Sequence, residues 1–295
     1  MLSIIPNKKI YLTIATILVG ASLVSLAIWG LKLGIDFTGG SLWEIQFINA
    51  RPDNSQIVSA LSDFKLEDLQ IQPVGDTGVI LKFRSVNENT HAAMKDNLNR
   101  LSPLQEKSFE SVGPTIGSEL KSKSISAIIY VLLLIIVYIT WAFRKVSKPV
   151  SSWKYGVIAI FTLAHDVALP AGVFSILGHF KGVEVDTLFV TALLTILGFS
   201  VHDTIVVFDR IRENLRRRPA ATFGETVNNS VNETMTRSIN TSLTVFLVLL
   251  ATYFLGGDST KNFALTLIIG VFFGTYSSIF VASPLLVLWA GRFRS

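Results

Sequence analysis

Several ionisable residues sit where an apolar chain should not carry them. His165-Asp166 and His202-Asp203 each fall inside a long apolar run, Asp209-Arg210 closes the second of these runs, and Arg237 opens a later one. An ionisable side chain inside a membrane-spanning stretch is costly, so each is by default a functional hypothesis. The chemistry on offer is proton uptake and release. A carboxylate beside an arginine stays charged, and once the arginine leaves, desolvation favours the protonated form. Asp203 precedes Arg210 by seven positions, roughly 10 Å along a helix rising about 1.5 Å per residue. The run that begins near Arg237 travels back through the same layer, so Arg237 and Asp203 fall at similar depths in neighbouring antiparallel helices. Such a pair can work as a proton switch or hold a bundle together as a static ion pair, and structural pairs perturb titration as well.

Helical phase adds direction. At about 100° per residue, Thr191, Thr195, Gly198, His202 and Asp209 share one face, and Asp203 points about 100° away, nearer Phe199 and Val206. The Thr/Gly/His face suits close packing with interhelical hydrogen bonds. His202 and His165 read first as packed, hydrogen-bonded side chains. Asp166, near the middle of its run, is harder to explain by packing. The ion-coupling candidates are therefore Asp203 and Arg237, followed by Asp166 and His202.

The elements that must position these groups follow from composition. Half of the 295 residues are hydrophobic and only 16% are charged, against about 25% in ordinary soluble domains. Stretches of about 20 apolar residues span a bilayer, and the qualifying segments are 10–31, 125–143, 155–177, 185–209, 239–256 and 262–290. The first is too long, and its end at Trp29-Gly30 too poor a cleavage site, for a removable leader. The chain thus reads as a six-helix membrane bundle with a soluble insertion at 32–124. Basic residues gather on one set of short flanks: Lys8 and Lys9; Arg144, Lys145, Lys148 and Lys154; Arg210, Arg212 and Arg216 to Arg218; Arg292 and Arg294. By the positive-inside tendency both termini and the 210–238 loop are cytoplasmic, and 32–124 is extracytoplasmic. The same placement accounts for the net charge of +5 without a nucleic-acid partner. Residues 222–236 read as a short amphipathic helix, and Asp209–Arg212 and Glu213–Arg217 as ion pairs between helix neighbours. No cysteine is present, and the four histidines are scattered, so neither a disulfide framework nor a metal-ligand spacing arises.

Within the insertion, 41–48 is strand-like, and Asp53 caps a helix to about Phe64. Residues 68–74 and 79–84 form a hairpin around Gly75 to Gly78. A helix runs from about Asn89 to Leu101, and 106–112 is a last strand. The order βαββαβ is the ferredoxin-like arrangement. No acid/base pair, phosphate loop or nucleophile motif stands out in it, which points to a binding or moving module and not an enzyme. Two short motifs border it. Asp36-Phe37-Thr38-Gly39-Gly40 follows the first span, and Gly113-Pro114 opens the segment to Leu120 before the second. Each is a plain connection or a hinge.

Taken together, Asp36–Gly40, Gly113–Leu120, His165-Asp166, Ser200–Asn214 (SVHDTIVVFDRIREN) and Met235–Thr244 leading to Gly256-Gly257 run in order along nearly the whole chain. In this the sequence resembles the SecF family, subunits of the SecDF protein-export complex in the RND superfamily. The resemblance implies an auxiliary of polypeptide export through the SecYEG channel, driven by the proton motive force, or by sodium in some members. It implies a bacterial inner-membrane location, a SecD-like partner, contact with the exported polypeptide and with membrane lipid, and no cofactor beyond the coupling ion. It also places Asp203 at the family's essential fourth-span aspartate and Arg237 at its associated arginine. The family often has Asn where this chain has His202, a titratable neighbour that bears on the choice of ion. The competing reading is half of an RND-type small-molecule or lipid exporter. That would need a substrate pocket and usually a larger periplasmic region than one compact domain.

Overall fold

The computed structural model describes residues 2–144, 150–217 and 220–291. Lys145, Lys148, Arg218, Arg292 and Arg294 of the basic flanks lie outside them. The chain divides into two compact units, 1–32 with 126–295, and 33–125.

The smaller unit opens with a short helix, α2 (Ile35–Thr38), after the first long helix α1 (Lys8–Trp29). It continues through β1 (Gly40–Phe47), α3 (Asn54–Leu61), β2 (Gln70–Val74), β3 (Gly78–Phe83), α4 (Glu88–Leu101) and β4 (Leu104–Val112). The strands form one antiparallel sheet in the order β2-β3-β1-β4, the βαββαβ topology expected. Alternation decides which face is covered: Trp43, Ile45 and Phe47 on β1 and Val79, Leu81 and Phe83 on β3 are buried under α3 and α4. Each such side chain contributes about 1.5–3 kcal/mol by leaving water. Local signals place the helices. Gln56 accepts from the Asp53 backbone N–H at 3.0 Å to start α3, and Asn87 accepts from the Thr90 N–H at 2.9 Å to start α4.

The two boundary motifs pack on each other inside this unit. Gly39 has φ +76°, and a side chain there would meet Pro114 Cα at 2.8 Å; one on Gly117 would meet the Gly39 nitrogen at 2.9 Å. Pro114 is the first residue of α5 (Pro114–Ala142), a position where its fixed φ and missing N–H are harmless. The 113–120 segment, expected as a connection or hinge, is therefore helical from Pro114 onward.

The larger unit holds α1, the rest of α5, α6 (Ser152–Lys181), α7 (Thr187–Arg217), α8 (Phe223–Leu255) and α9 (Asp258–Ser277), then a π-helical turn (Ser278–Ala282) and α10 (Ser283–Gly291). Among the described residues six helical stretches are long and apolar enough to cross a membrane, and the chain is a multi-pass membrane protein. The amphipathic segment and the fifth span are one continuous helix, α8, begun by a capping box in which Thr222 accepts from the Glu225 N–H at 3.2 Å. The polar residues near Arg237 interrupt the hydropathy, not the backbone hydrogen bonding. The ion pairs Arg212–Asp209 (2.6 Å) and Arg217–Glu213 (2.9 Å) form as their spacing predicts.

α6, α7 and α9 are the most buried of the long helices. α1 lies against α6 through small residues: a Cβ on Gly172 would come within 2.6 Å of Ser22 Cα, and Ser175 Oγ donates to the Ser25 carbonyl at 2.9 Å. The N-terminal strap is tied to α8 by two asparagines one turn apart. Asn228 Oδ1 accepts from the Ile4 and Ile5 N–H groups at 3.0 and 3.1 Å, and Asn232 Oδ1 from Leu2 at 2.7 Å. This seats Ile4 and Ile5 in the apolar core with Val227 and Val231.

Candidate functional site

Asp166 on α6 and Asp203 on α7 are both buried, and the residues that satisfy them are nearly all hydroxyls. Asp166 Oδ1 meets His165 Nδ1 at 2.8 Å. Its Oδ2 accepts from Ser277 Oγ at 2.8 Å and from Ser200 Oγ. Asp203 Oδ1 accepts from Ser238 Oγ of α8 at 2.5 Å, and Oδ2 from Ser278 Oγ of the π-helical turn at 2.5 Å. A further pair, Ser242 and Thr275, joins α8 to α9 at 2.5 Å, and Ser242 also donates to the Ser238 carbonyl at 2.8 Å. The helices approach closely enough for this because α9 is thin where it faces α7: a Cβ on Gly274 would lie 3.2 Å from Ser200 Cβ.

No cation pairs with Asp203 among the described residues. Arg237, expected at Asp203's depth, is at that depth, because its neighbour Ser238 holds the carboxylate. One residue turns a helix by about 100°, so the guanidinium points elsewhere. Arg237 is exposed and makes no ion pair or hydrogen bond with a described residue. The switch-or-ion-pair geometry inferred from spacing is thus not formed within this chain. His202 is also exposed, together with Thr191, Thr195, Gly198 and Asp209. The shared face exists, but it looks out of the chain, not into its bundle. His165 is buried as expected, with Nδ1 on Asp166 and Nε2 without a hydrogen-bond partner among the described residues.

A carboxylate held only by hydroxyls differs from one held by an arginine. A hydroxyl donates to the ionised form and turns to accept from the protonated form, so both states keep a full set of hydrogen bonds. The arrangement suits reversible proton binding.

Ser277 and Ser278 are not marked by the sequence. Serines in apolar helices usually bond the preceding turn of backbone, and these two do so as well, so their type alone does not mark them. The π-helical turn that sends adjacent serines to different helices has no sequence signature. Nor does the sequence mark a polar cluster in the smaller unit, where Glu106 Oε2 accepts from Trp43 Nε1 at 3.0 Å and faces His91 Nε2 at 3.0 Å and Lys95 Nζ at 3.4 Å.

Comparison with known proteins bears on what this geometry serves. A family model described as "Protein export membrane protein SecD/SecF, C-terminal" matches residues 93–292, and one described as "SecD/SecF GG Motif" matches 24–47, which contain Gly39 and Gly40. The chain is 44% identical to the protein translocase subunit SecF of Thermobaculum terrenum, over 99% of this chain and 95% of that one. It is 36% identical to the protein translocase subunit SecDF of Thermus thermophilus, over 96% of this chain but 38% of that longer protein. The crystal structure of SecDF, "a translocon-associated membrane protein", from Thermus thermophilus superposes with a TM-score of 0.83 at 32% identity, covering 99% of this chain and 39% of that one.

Proposed function

The chain belongs to the SecD/SecF family of protein-export membrane proteins, and from that premise we propose that it is the SecF-type half of a proton-driven auxiliary of the Sec translocase. It assists export of polypeptides and is a transport subunit, not an enzyme. The single observation that carries the ion-driven part is Asp203: a buried carboxylate at mid-helix whose described partners are hydroxyls able to serve either protonation state. Asp203 is the coupling site and Asp166 a second one. The basic flanks set the orientation in the bacterial inner membrane, with both termini cytoplasmic and the 33–125 unit outside. There that unit meets the emerging polypeptide while the bundle sits beside the SecYEG channel in lipid. The proton is the coupling ion, with sodium as the alternative.

The exposed polar face supports a SecD-like partner. Arg237, Asn240, Thr241 and Thr244 on α8, and Thr191, Thr195, Gly198 and His202 on α7, are exposed in a chain whose surroundings are otherwise apolar. A guanidinium facing lipid is costly by about 2.5 kcal/mol or more. A second chain supplying acceptors removes that penalty, and the Thermus relative is long enough to carry such a half in the same polypeptide. The chain has no cysteine, so a single introduced thiol reports cleanly. Thr195→Cys carrying a thiol-attached photo-crosslinker is expected to cross-link to the SecD-like half, while Ile17→Cys, 64% exposed on α1 and carrying the same reagent, is not. Equal cross-linking at both positions contradicts the assignment of this face.

The test of the function is export of a secreted reporter into inverted membrane vesicles containing both halves. An imposed proton gradient is expected to raise export several-fold, and a sodium gradient at matched pH is expected to leave it unchanged. Export indifferent to both gradients sinks the ion-driven reading, and a response to sodium alone replaces the proton with sodium.

A further inference from the structure

Ser277 and Ser278 are consecutive, yet they bond carboxylates on different helices, Asp166 on α6 and Asp203 on α7. They stand where α9 ends and the π-helical turn begins. Single π-helical turns are rare and cluster at functional positions.

Each serine hydroxyl has one proton and two acceptors within reach. Ser277 Oγ faces Asp166 Oδ2 at 2.8 Å and the Gly274 carbonyl at 3.0 Å. Ser278 Oγ faces Asp203 Oδ2 at 2.5 Å and the Thr275 carbonyl at 3.0 Å. While a carboxylate is ionised, the hydroxyl proton belongs to it. Once the carboxyl carries its own proton, its O–H donates to the serine oxygen and the hydroxyl proton turns to the backbone carbonyl. The Gly274 carbonyl is the meeting point, because it also accepts the backbone N–H of Ser278. A proton arriving on Asp166 therefore brings a second donor onto the carbonyl that positions Ser278, the residue holding Asp203. Gly274 faces α7 as well, close to Ser200, which donates to Asp166. Among the described residues, the titratable groups beside this node are His165 on Asp166 and Tyr276, whose ring lies 6.2 Å from that of His165 and whose hydroxyl donates to the carbonyl of Tyr11 at 3.0 Å. Arg237 is next to Ser238 in the chain and points away.

We infer that Ser277 and Ser278 are positioning residues that couple Asp166 to Asp203 through the Gly274 carbonyl, so that the two carboxyl groups titrate as one unit. The inference rests on the reading that these carboxyl groups exchange protons in the working protein, but its test does not depend on export.

The complex of this chain with its SecD-like half is reconstituted in lipid, and the carboxylic-acid C=O stretch is titrated by infrared difference spectroscopy. Asp166→Asn is expected to move the Asp203 midpoint by about one pH unit or more, the size at which neighbouring sites titrate as a pair. Adding Ser277→Ala and Ser278→Ala is expected to reduce that movement to less than half, whereas Ser278→Thr, which keeps the hydroxyl, preserves it. Where the double alanine variant fails to co-purify with the partner, each single alanine variant makes the same comparison. A movement of equal size with and without the serine hydroxyls means that the carboxylates interact through space, and it overturns the inference. So does an Asp203 midpoint indifferent to Asp166→Asn. Coupling seen in the spectra of a complex whose export ignores every gradient upholds this inference and removes only the ion-driven function.

Discussion

Asp203→Asn is expected to leave the chain assembled with its partner and to lower export under a proton gradient to the level seen without one. The amide has the shape of the carboxyl group and carries no charge, so burying it adds no desolvation penalty. The cost of burying an unpaired charge is large, and an amide with its hydrogen bonds made does not carry it. What it cannot do is bind and release a proton. The amide nitrogen also brings a donor towards Ser238 or Ser278, each of which donates to the native carboxylate, so one hydroxyl must reverse and accept. That adjustment lies within what a hydroxyl can do, and stability should change by no more than about 1 kcal/mol. Gradient-driven export and co-purification with the SecD-like half, measured on one preparation, check both parts. Retained gradient response, or loss of assembly, places Asp203 in the framework of the bundle instead.

Gly39→Val is expected to disrupt the smaller unit, whereas Gly113→Ala is not. Gly39 has φ +76°, a conformation costing roughly 1–2 kcal/mol for residues with a Cβ. The added side chain also meets Pro114 Cα at 2.8 Å, and overpacking of that kind costs typically about 1–3 kcal/mol. Backbone on both sides leaves no flexible group to yield. Together these amount to about 2–5 kcal/mol, a large part of the stability of a unit of this size. A Cβ on Gly113 meets nothing within 4 Å, and its φ is ordinary, so Gly113→Ala stays within about 0.5 kcal/mol. Protease resistance of the 33–125 region in membrane vesicles separates the two variants. Equal resistance contradicts the packing of these motifs against each other.

These glycines illustrate what was legible in the sequence. Both stood out as boundary residues, but turn chemistry ranks Gly39 and Gly113 alike, and only the contact with Pro114 separates them. The membrane helices and the βαββαβ order were readable because hydropathy over about 20 residues and alternation over five to eight are strong, local signals. The length of α8 was not, since polar residues around Arg237 end an apolar window without ending a helix. Depth was readable for Asp203 and Arg237 because rise per residue is constant. Direction was not, because a displacement of one residue swings a side chain by about 100°. Ser238, next to Arg237, is the residue that reaches the carboxylate. The Thr/Gly/His face of α7 is legible as a packing face, but a single chain does not reveal whether the matching surface is its own. The hydroxyl shell was hidden for another reason: serine is common in membrane helices, and its partners are set by a π-helical turn that arises from packing.

On the proposed function, Asp203 takes up and releases the proton that drives export. The direct measurement is proton flux into sealed liposomes containing this chain and its SecD-like half, followed with an enclosed pH-sensitive dye, for wild type and Asp203→Asn. Gradient-driven proton entry is expected in wild type and entry at the level of empty liposomes in the variant, with equal amounts of assembled complex in both. Equal entry in the two would contradict it, because the proton would then cross by a route that does not use Asp203.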